Sequence, residues 1–199
     1  MSHSKYHTEA IVLASRTQGE SSLFVFLLTE RFGLVGAVAT GIRHLKSKLR
    51  YSLVDFSLIE VSLVRGKEVW RLTGARKEFD HHHKLSVKNP GFVLWVKILS
   101  LIRRLTTGEE AHQELFTLLK TFFDFIRYEA EKLSPQQLMD LEVLMVIRIL
   151  RVLGYFGEER ELEPFISTHE WKIEEINNFT KQRRLAVQKI NDALKETQL

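Results

Sequence analysis

Short apolar runs separated by tight turns make up the first 80 residues of the chain. The clearest run spans residues 56–64, where the apolar Ile59, Val61 and Leu63 alternate with polar neighbours. This period of two is typical of a half-buried strand. Comparable runs lie at residues 8–15, 23–29, 34–41 and 68–76. Five short strands joined by short turns, with one longer connection over residues 42–55, predict a small antiparallel barrel.

From Pro90 onward the apolar positions recur at helical spacing. Leu94, Ile98, Leu101 and Leu105 follow an i, i+4, i+7, i+11 pattern, which predicts a first, buried helix. A second helix is predicted around residues 115–125. A third begins at Ser134, with proline next and glutamine three residues on, and ends at Gly154. The same capping pattern at residues 167–170 predicts the start of a last helix that runs past residue 190.

These patterns place the chain in the α+β class, with two domains. We predict a β-barrel domain over residues 1–79 and an α-helical domain over residues 80–199, joined by a linker at about residues 79–89. The chain has no cysteine, which excludes disulfides, thiolate metal sites and cysteine nucleophiles. It has no long uncharged apolar stretch for a membrane span and no apolar leader at its start, so a cytoplasmic protein is expected.

The net positive charge of the chain lies entirely in the barrel half. Residues 1–80 contain 12 Lys and Arg against 8 Asp and Glu, whereas residues 81–199 contain 17 of each. A strong cluster, Arg43, Lys46, Lys48 and Arg50, lies in an interval without acidic residues. Such cations can neutralise successive phosphates of a nucleic acid, and aromatic side chains such as Tyr51, Trp70 and Phe24 can stack on its bases. The alternative is a solvated basic loop beside core aromatic residues.

Other candidate chemistry is weaker. The histidines at 81–83 are adjacent, so their side chains diverge and a linker is favoured over a metal site. The acidic cluster Glu158, Glu159, Glu161 and Glu163 lacks the spacing of a cation-binding loop, which favours a solvated turn. Motifs for nucleotide binding, zinc hydrolysis or a nucleophilic serine are absent from the sequence, so an enzyme is not expected.

Several short segments then carry a resemblance to a known family. They are YHTEAIVLASR at 6–16, GESS at 19–22, LTE at 28–30, GLV at 33–35, ATGIR at 39–43, KSKL at 46–49, VRGKE at 64–68 and LT at 72–73. In this order they resemble the N-terminal part of the RecO family of bacterial recombination mediators. The helical half resembles the family more weakly, chiefly at Ile149-Leu150 and Leu153-Gly154-Tyr155.

The resemblance implies an N-terminal OB-fold barrel followed by a helical domain, in a non-catalytic DNA repair protein. Members bind single- and double-stranded DNA and anneal complementary strands. With the partner RecR they help load RecA onto strands covered by single-strand-binding protein. Localisation near the nucleoid follows from such a role. The family's basic connection falls on the four cations already identified, and Arg16, Arg65, Lys67 and Arg71 are expected to extend the DNA track.

The helical half departs from the family pattern. Many members carry a four-cysteine zinc module after the Leu-Gly-Tyr; residues 156–168 replace it here without cysteine, so neither a structural zinc nor another cofactor is expected. Arg148 and Arg151 are the candidate cations for docking the acidic tail of single-strand-binding protein, or else surface residues of a buried helix. Two other functions remain open, namely an adaptor that binds only proteins and a nuclease.

Overall fold

The first part of the chain forms a closed five-stranded β-barrel. The computed structural model describes residues 4–42, 49–77 and 88–196, without the side chains of Arg50, Lys77 and Glu196. The strands are β1 Lys5–Gln18, β2 Ser22–Thr29, β3 Gly33–Ala39, β4 Leu58–Arg65 and β5 Trp70–Lys77. They close in the order β1-β2-β3-β5-β4, with all pairs antiparallel except β3 and β5. This arrangement confirms the predicted OB-fold barrel.

Strand β1 is the element that closes the barrel. Its first half pairs with β4 and its second half with β2, and the register shifts between Val12 and Ala14. A bulge of this kind bends a strand and increases its twist, so that one strand can serve two neighbours. Most inward positions of the five strands are apolar and buried, among them Val12, Val25, Val35 and Val61. Alternation along each strand therefore leaves the other side chains on the outer surface.

The predicted longer connection is anchored at both described flanks. Ile42, directly before the connection, packs against the barrel core, and its N–H donates to the Ser21 carbonyl. After the connection a short helix, α1 Leu49–Ser52, packs Leu49 against the same core. Residues 43–48 between these points lie outside the described residues.

The rest of the described chain is helical. The helices are α2 Pro90–Leu105, α3 Gln113–Glu129, α4 Pro135–Val152, α5 Glu163–Ile166, α6 Ile173–Phe179 and α7 Arg183–Glu196, and a 3-10 turn follows α3 at Ala130–Lys132. The capping box predicted at Ser134 is confirmed. Its hydroxyl accepts from the Gln137 N–H at 3.2 Å, and its own N–H donates to Gln137 Oε1 at 2.8 Å.

The prediction of one long last helix is wrong. Ser167 ends the short α5, and α6 begins only at Ile173. The Thr168 hydroxyl accepts from the Glu170 N–H two residues on, which is a local turn and not a helix start. A second break at Thr180–Gln182 separates α6 from α7. The apolar period continues across these breaks, which is why the sequence suggested a single helix.

The chain divides into two compact units. One comprises Met1–His83 with Leu99–Gln113, and the other comprises Lys84–Ile98 with Glu114–Leu199. We call them the barrel unit and the helical unit. The domain boundaries predicted above, at residues 79–89, stay a prediction. Within the described residues, no helix is both long and apolar enough to cross a membrane.

Candidate nucleic-acid interface

A row of outward-facing side chains crosses four strands of the barrel. The register pairs Arg16 with Phe24, Phe24 with Val38, and Val38 with Arg71. Residues directly opposite each other on paired strands share a face, so these four side chains lie side by side. Arg16 and Arg71 are exposed, and the apolar pair between them is half-buried. We call this set, Arg16, Phe24, Val38 and Arg71, the outer row.

The aromatic part of the outer row is fixed by its neighbours. An ideal Cβ placed on Gly36 would lie 2.6 Å from Cζ of Phe24, so the Phe24 ring occupies the space that a side chain at 36 would need. Phe26 meets this ring edge-on, with 5.1 Å between the centroids. The Arg16 guanidinium lies over Phe24 at 4.8 Å, and that of Arg103 lies over Phe26 at 5.0 Å. Two cations therefore flank an aromatic surface.

A basic depression lies at the turn between β4 and β5. It is lined by residues 64–69 and Arg71, among which three cations, Arg65, Lys67 and Arg71, stand against the single acid Glu68. The Arg65 guanidinium is 3.3 Å from Glu109, but both side chains are well exposed, so solvent screens this pair. Within the described part of the chain, Lys67 and Arg71 have no ion-pair partner. These charges are available to an anionic ligand.

Four of the eight cations predicted for DNA contact belong to these two features, namely Arg16, Arg65, Lys67 and Arg71. Arg71 belongs to both the outer row and the depression, and Arg16 lies at the far end of the row. Tyr51 is 70% exposed on α1. Arg43, Lys46 and Lys48 lie outside the described residues, as does the side chain of Arg50.

Phe26 and Arg103 are not among the residues predicted from the sequence to contact DNA. Phe26 was detectable, because it lies two residues from Phe24 and a strand places both on one face. Arg103 could not be identified from the sequence, because it is distant from Phe26 along the chain and only the fold brings its guanidinium to the Phe26 ring.

The prediction that Trp70 stacks on a base is wrong. Its side chain is only 3% exposed, and its indole N–H donates to Glu109 Oε1 at 2.9 Å. The rings of Tyr6 and Phe32 pack against it, with centroid separations of 5.7 and 5.1 Å. Trp70 therefore belongs to the barrel core, which was the alternative considered.

Arg148 was predicted as a partner-binding cation, and this is also wrong. The side chain is 1% exposed, and its guanidinium donates to the carbonyls of Phe165 and Glu170 and to Glu175 Oε1, at 2.7, 2.7 and 2.6 Å. Burial lowers the pKa of Arg148, although the nearby Glu175 carboxylate opposes this. Burial likewise raises the pKa of Glu175. Each of the three guanidinium nitrogens donates inside the helical unit and the side chain is buried, so Arg148 has no face for a partner.

The remaining candidate residues of the helical unit are Arg151 and the acidic cluster at residues 158–163. Arg151 is half-buried, 3.9 Å from Glu163, and its guanidinium also donates to the Phe156 carbonyl. In the acidic cluster, Glu159 pairs with Lys189. Among the described residues, no group of three or more His, Asp or Glu side chains is arranged to hold a metal ion. The histidines at 81–83 lie outside the described residues.

The part of the chain that forms the barrel is similar to a known protein family. Residues 1–77 match the model of the family described as Recombination protein O N terminal. These residues are therefore similar to the N-terminal part of recombination protein O. The predicted resemblance to the RecO family is thereby confirmed for the part of the chain that forms the barrel.

Relatives extend the similarity beyond the barrel. The DNA repair protein RecO of Alkaliphilus metalliredigens is 24% identical over 161 residues, which is 80% of this chain and 61% of the relative. That of Thermodesulfovibrio yellowstonii is 29% identical over 158 residues, 77% and 59% of the two chains. That of Myxococcus xanthus is 32% identical over 144 residues, 70% and 56%. The chain thus spans about 60% of the length of the first two of these relatives.

Proposed function

We propose that this chain acts in DNA repair and recombination by binding DNA on the outer surface of its barrel. The observation that carries the proposal is the outer row, in which exposed cations at Arg16 and Arg71 flank the half-buried Phe24 and Val38. A single strand presents phosphates to such cations and unstacked bases to the apolar surface between them. The relatives named DNA repair protein RecO support the same role.

The finer steps of the proposed function follow from charge. A duplex offers its phosphates without unstacked bases, so it would be held by the cations of the basic depression and of residues 43–50. Two complementary strands on one cationic surface repel each other less, and annealing would follow. Cooperation with RecR, and through it loading of RecA on strands covered by single-strand-binding protein, are the proposed partner interactions. The role requires no bond to be broken in the DNA.

The test is fluorescence anisotropy with labelled single-stranded and duplex oligonucleotides, titrated over a range of salt concentrations. We expect the logarithm of the binding constant to fall steeply with the logarithm of salt concentration. Arg16→Glu combined with Arg71→Glu should weaken single-strand binding by more than about tenfold and flatten that dependence. The matched control reverses two exposed cations of the helical unit, Lys181→Glu with Lys195→Glu, and should leave binding unchanged.

Two results would contradict the proposal. Equal binding by the folded Arg16→Glu, Arg71→Glu variant and its control would remove the outer row from the interface. A failure to bind either oligonucleotide at low salt would favour the protein-only adaptor, which pull-downs with RecR would then test. Arg43→Glu with Lys48→Glu tests the basic connection separately in the same assay. Cleavage of the oligonucleotide in the presence of divalent cations would instead revive the nuclease.

A further inference from the structure

A groove in the helical unit has no part in the proposed DNA contact. One wall is a face of α3 formed by Thr121, Asp124, Phe125, Tyr128 and Glu129, which recur three and four residues apart. The opposite wall is the segment of residues 169–174 that leads into α6. The groove encloses about 890 Å³, within the usual range of ligand and peptide sites.

The surface inside the groove is apolar and partly exposed. Tyr128 is 53% exposed and Ile173 is 36% exposed, and both are among the most exposed large apolar side chains of the described residues. Phe125 and Trp171 are half-buried beside them. Single exposed apolar residues are ordinary on a protein surface, but several that converge in one depression mark an interaction site.

The wall that contains Trp171 is preformed. The Arg148 guanidinium lies over the indole at 4.2 Å, and Phe122 packs against it with 4.9 Å between the ring centroids. The indole N–H donates to Thr121 Oγ1 at 3.2 Å, and that hydroxyl lies 3.0 Å from the Leu118 carbonyl and 3.1 Å from the His169 carbonyl, either of which accepts its proton. A partner would therefore bind without first having to order this wall.

The rim of the groove is acidic. Four carboxylates, those of Asp124, Glu129, Glu170 and Glu174, face a single lysine, Lys172. Glu170 already pairs with Lys172 at 2.6 Å, and Glu129 pairs with Lys132 outside the groove. In the described part of the chain, neither Asp124 nor Glu174 has a cation within 4 Å, although Glu174 interacts electrostatically with Lys172. The potential of the groove is negative, which favours a cationic ligand and disfavours DNA or an acidic peptide.

We infer that this groove binds a basic amphipathic peptide segment of a partner protein. An apolar side chain of the segment packs against Tyr128 and Ile173, and its lysine or arginine side chains lie opposite Asp124 and Glu174. Apolar contact supplies the affinity, and the excess of carboxylates over the single lysine selects the sign of the charge. The inference is independent of DNA binding by the barrel.

The experiment uses the full chain and a labelled amphipathic peptide made of leucine and lysine, with fluorescence anisotropy as the readout. A second peptide carries glutamine in place of every lysine, which keeps the apolar pattern and removes the charge. Asp124→Lys with Glu174→Lys should weaken binding of the lysine peptide by about tenfold. Tyr128→Ala should weaken it several-fold by removing apolar contact area. The control Glu161→Lys with Asp192→Lys changes the net charge equally away from the groove and should bind like the unmodified chain.

Three other outcomes would each overturn the inference. Equal binding of the glutamine peptide would show that charge does not select the ligand. Equal losses in the groove variant and in its control would show a general charge effect and no local site. Sedimentation tests the remaining occupant: if the unmodified chain is a dimer and the groove variant a monomer, the groove holds a second copy of this chain. Because DNA is absent from every arm, failure here leaves the proposed DNA contact untouched.

Discussion

The barrel unit and the helical unit use arginine in opposite ways. On the barrel, Arg16 and Arg71 are exposed, and the Arg16 guanidinium lies over the Phe24 ring. In the helical unit, Arg148 is buried and gives its donors to two carbonyls and a carboxylate of the same chain. An arginine whose donors are all used internally stabilises the fold, and one whose donors are free can bind an anion.

The same contrast holds for the other charges of the two units. The helical unit joins its cations to acids across its own helices, through the pairs Lys97–Glu142, Arg148–Glu175, Arg183–Asp140 and Lys189–Glu159. The barrel unit contains one such pair in the described residues, Arg65–Glu109, and both of its members are exposed. The number of Lys and Arg residues therefore says little about function until their partners are known.

The largest loss of stability is expected from Arg148→Met, which tests the role of the buried Arg148 in holding the helical unit together. Methionine has a similar length but no donor, so the Glu175 carboxylate and the carbonyls of Phe165 and Glu170 lose their partner inside the helical unit. Leaving a buried charge unpaired in this way should cost about 3–5 kcal/mol of unfolding free energy. Urea unfolding followed by far-ultraviolet circular dichroism, which reports mainly the helices, measures this cost.

Arg151→Met is the matched control for that experiment. Arg151 lies one turn further along α4, is half-buried and contacts Glu163 only at 3.9 Å. Its loss should cost less than about 1 kcal/mol. If the two substitutions cost the same, the difference between the fully buried Arg148 and the half-buried Arg151 has no energetic basis in this protein.

The next largest effect should come from Gly33→Ala in the β2–β3 turn. Gly33 has a φ of +64°, and an ideal Cβ there would lie 2.0 Å from the carbonyl oxygen of Glu110 in the same unit. The left-handed backbone and the backbone clash together should cost about 2–4 kcal/mol. Hydrogen exchange of buried amides in β2 and β3 measures the loss in the barrel itself.

Gly19→Ala separates the two causes. Gly19 has nearly the same φ, +63°, but open space around the position of a Cβ. Gly19→Ala should therefore lower the unfolding free energy only by the cost of the left-handed backbone, roughly 1–2 kcal/mol. An equal cost at both positions would mean that the Glu110 backbone yields to the new methyl group, so that the barrel unit is less rigid there than its contacts suggest.

The sequence predicted the elements well because their signals are local. Strand alternation at residues 56–64 and the capping residues at Ser134 each depend on neighbours within four positions. The single long last helix is the exception, because the apolar period continues across its breaks. The errors in the candidate site involve distant partners. The burial of Trp70 depends on Tyr6, Phe32 and Glu109, and the burial of Arg148 depends on a segment that follows α4. Charge sign can be read from a sequence, but the group that satisfies the charge cannot.

A smaller effect is expected at Ser134, where the local prediction held. Ser134→Ala removes the acceptor for the Gln137 N–H and leaves the reciprocal bond to Gln137 Oε1 without its counterpart. Loss of such a cap should cost about 1 kcal/mol. Ser134→Asp keeps an acceptor and should restore most of it, by the urea measurement used for Arg148. A loss as large as that of Arg148→Met would mean that the α4 N-terminus has a tertiary role that the capping box does not explain.

The smallest effect on stability, and the sharpest test of the contrast, is expected from Arg71→Ala. Arg71 is exposed and has no ion-pair partner among the described residues, so its removal should change the unfolding free energy by less than about 0.5 kcal/mol. If Arg71 contacts one phosphate, its removal should weaken binding of a single strand about threefold. The slope of the logarithm of the binding constant against the logarithm of salt concentration should fall by about 0.7.

Arg148→Met should do the reverse, lowering stability while leaving that slope unchanged in the folded fraction. Only an arginine with free donors can alter the slope, because the slope counts the cations that replace counterions on the DNA. A change of slope with Arg148→Met, or none with Arg71→Ala, would therefore contradict the division of roles between the two units.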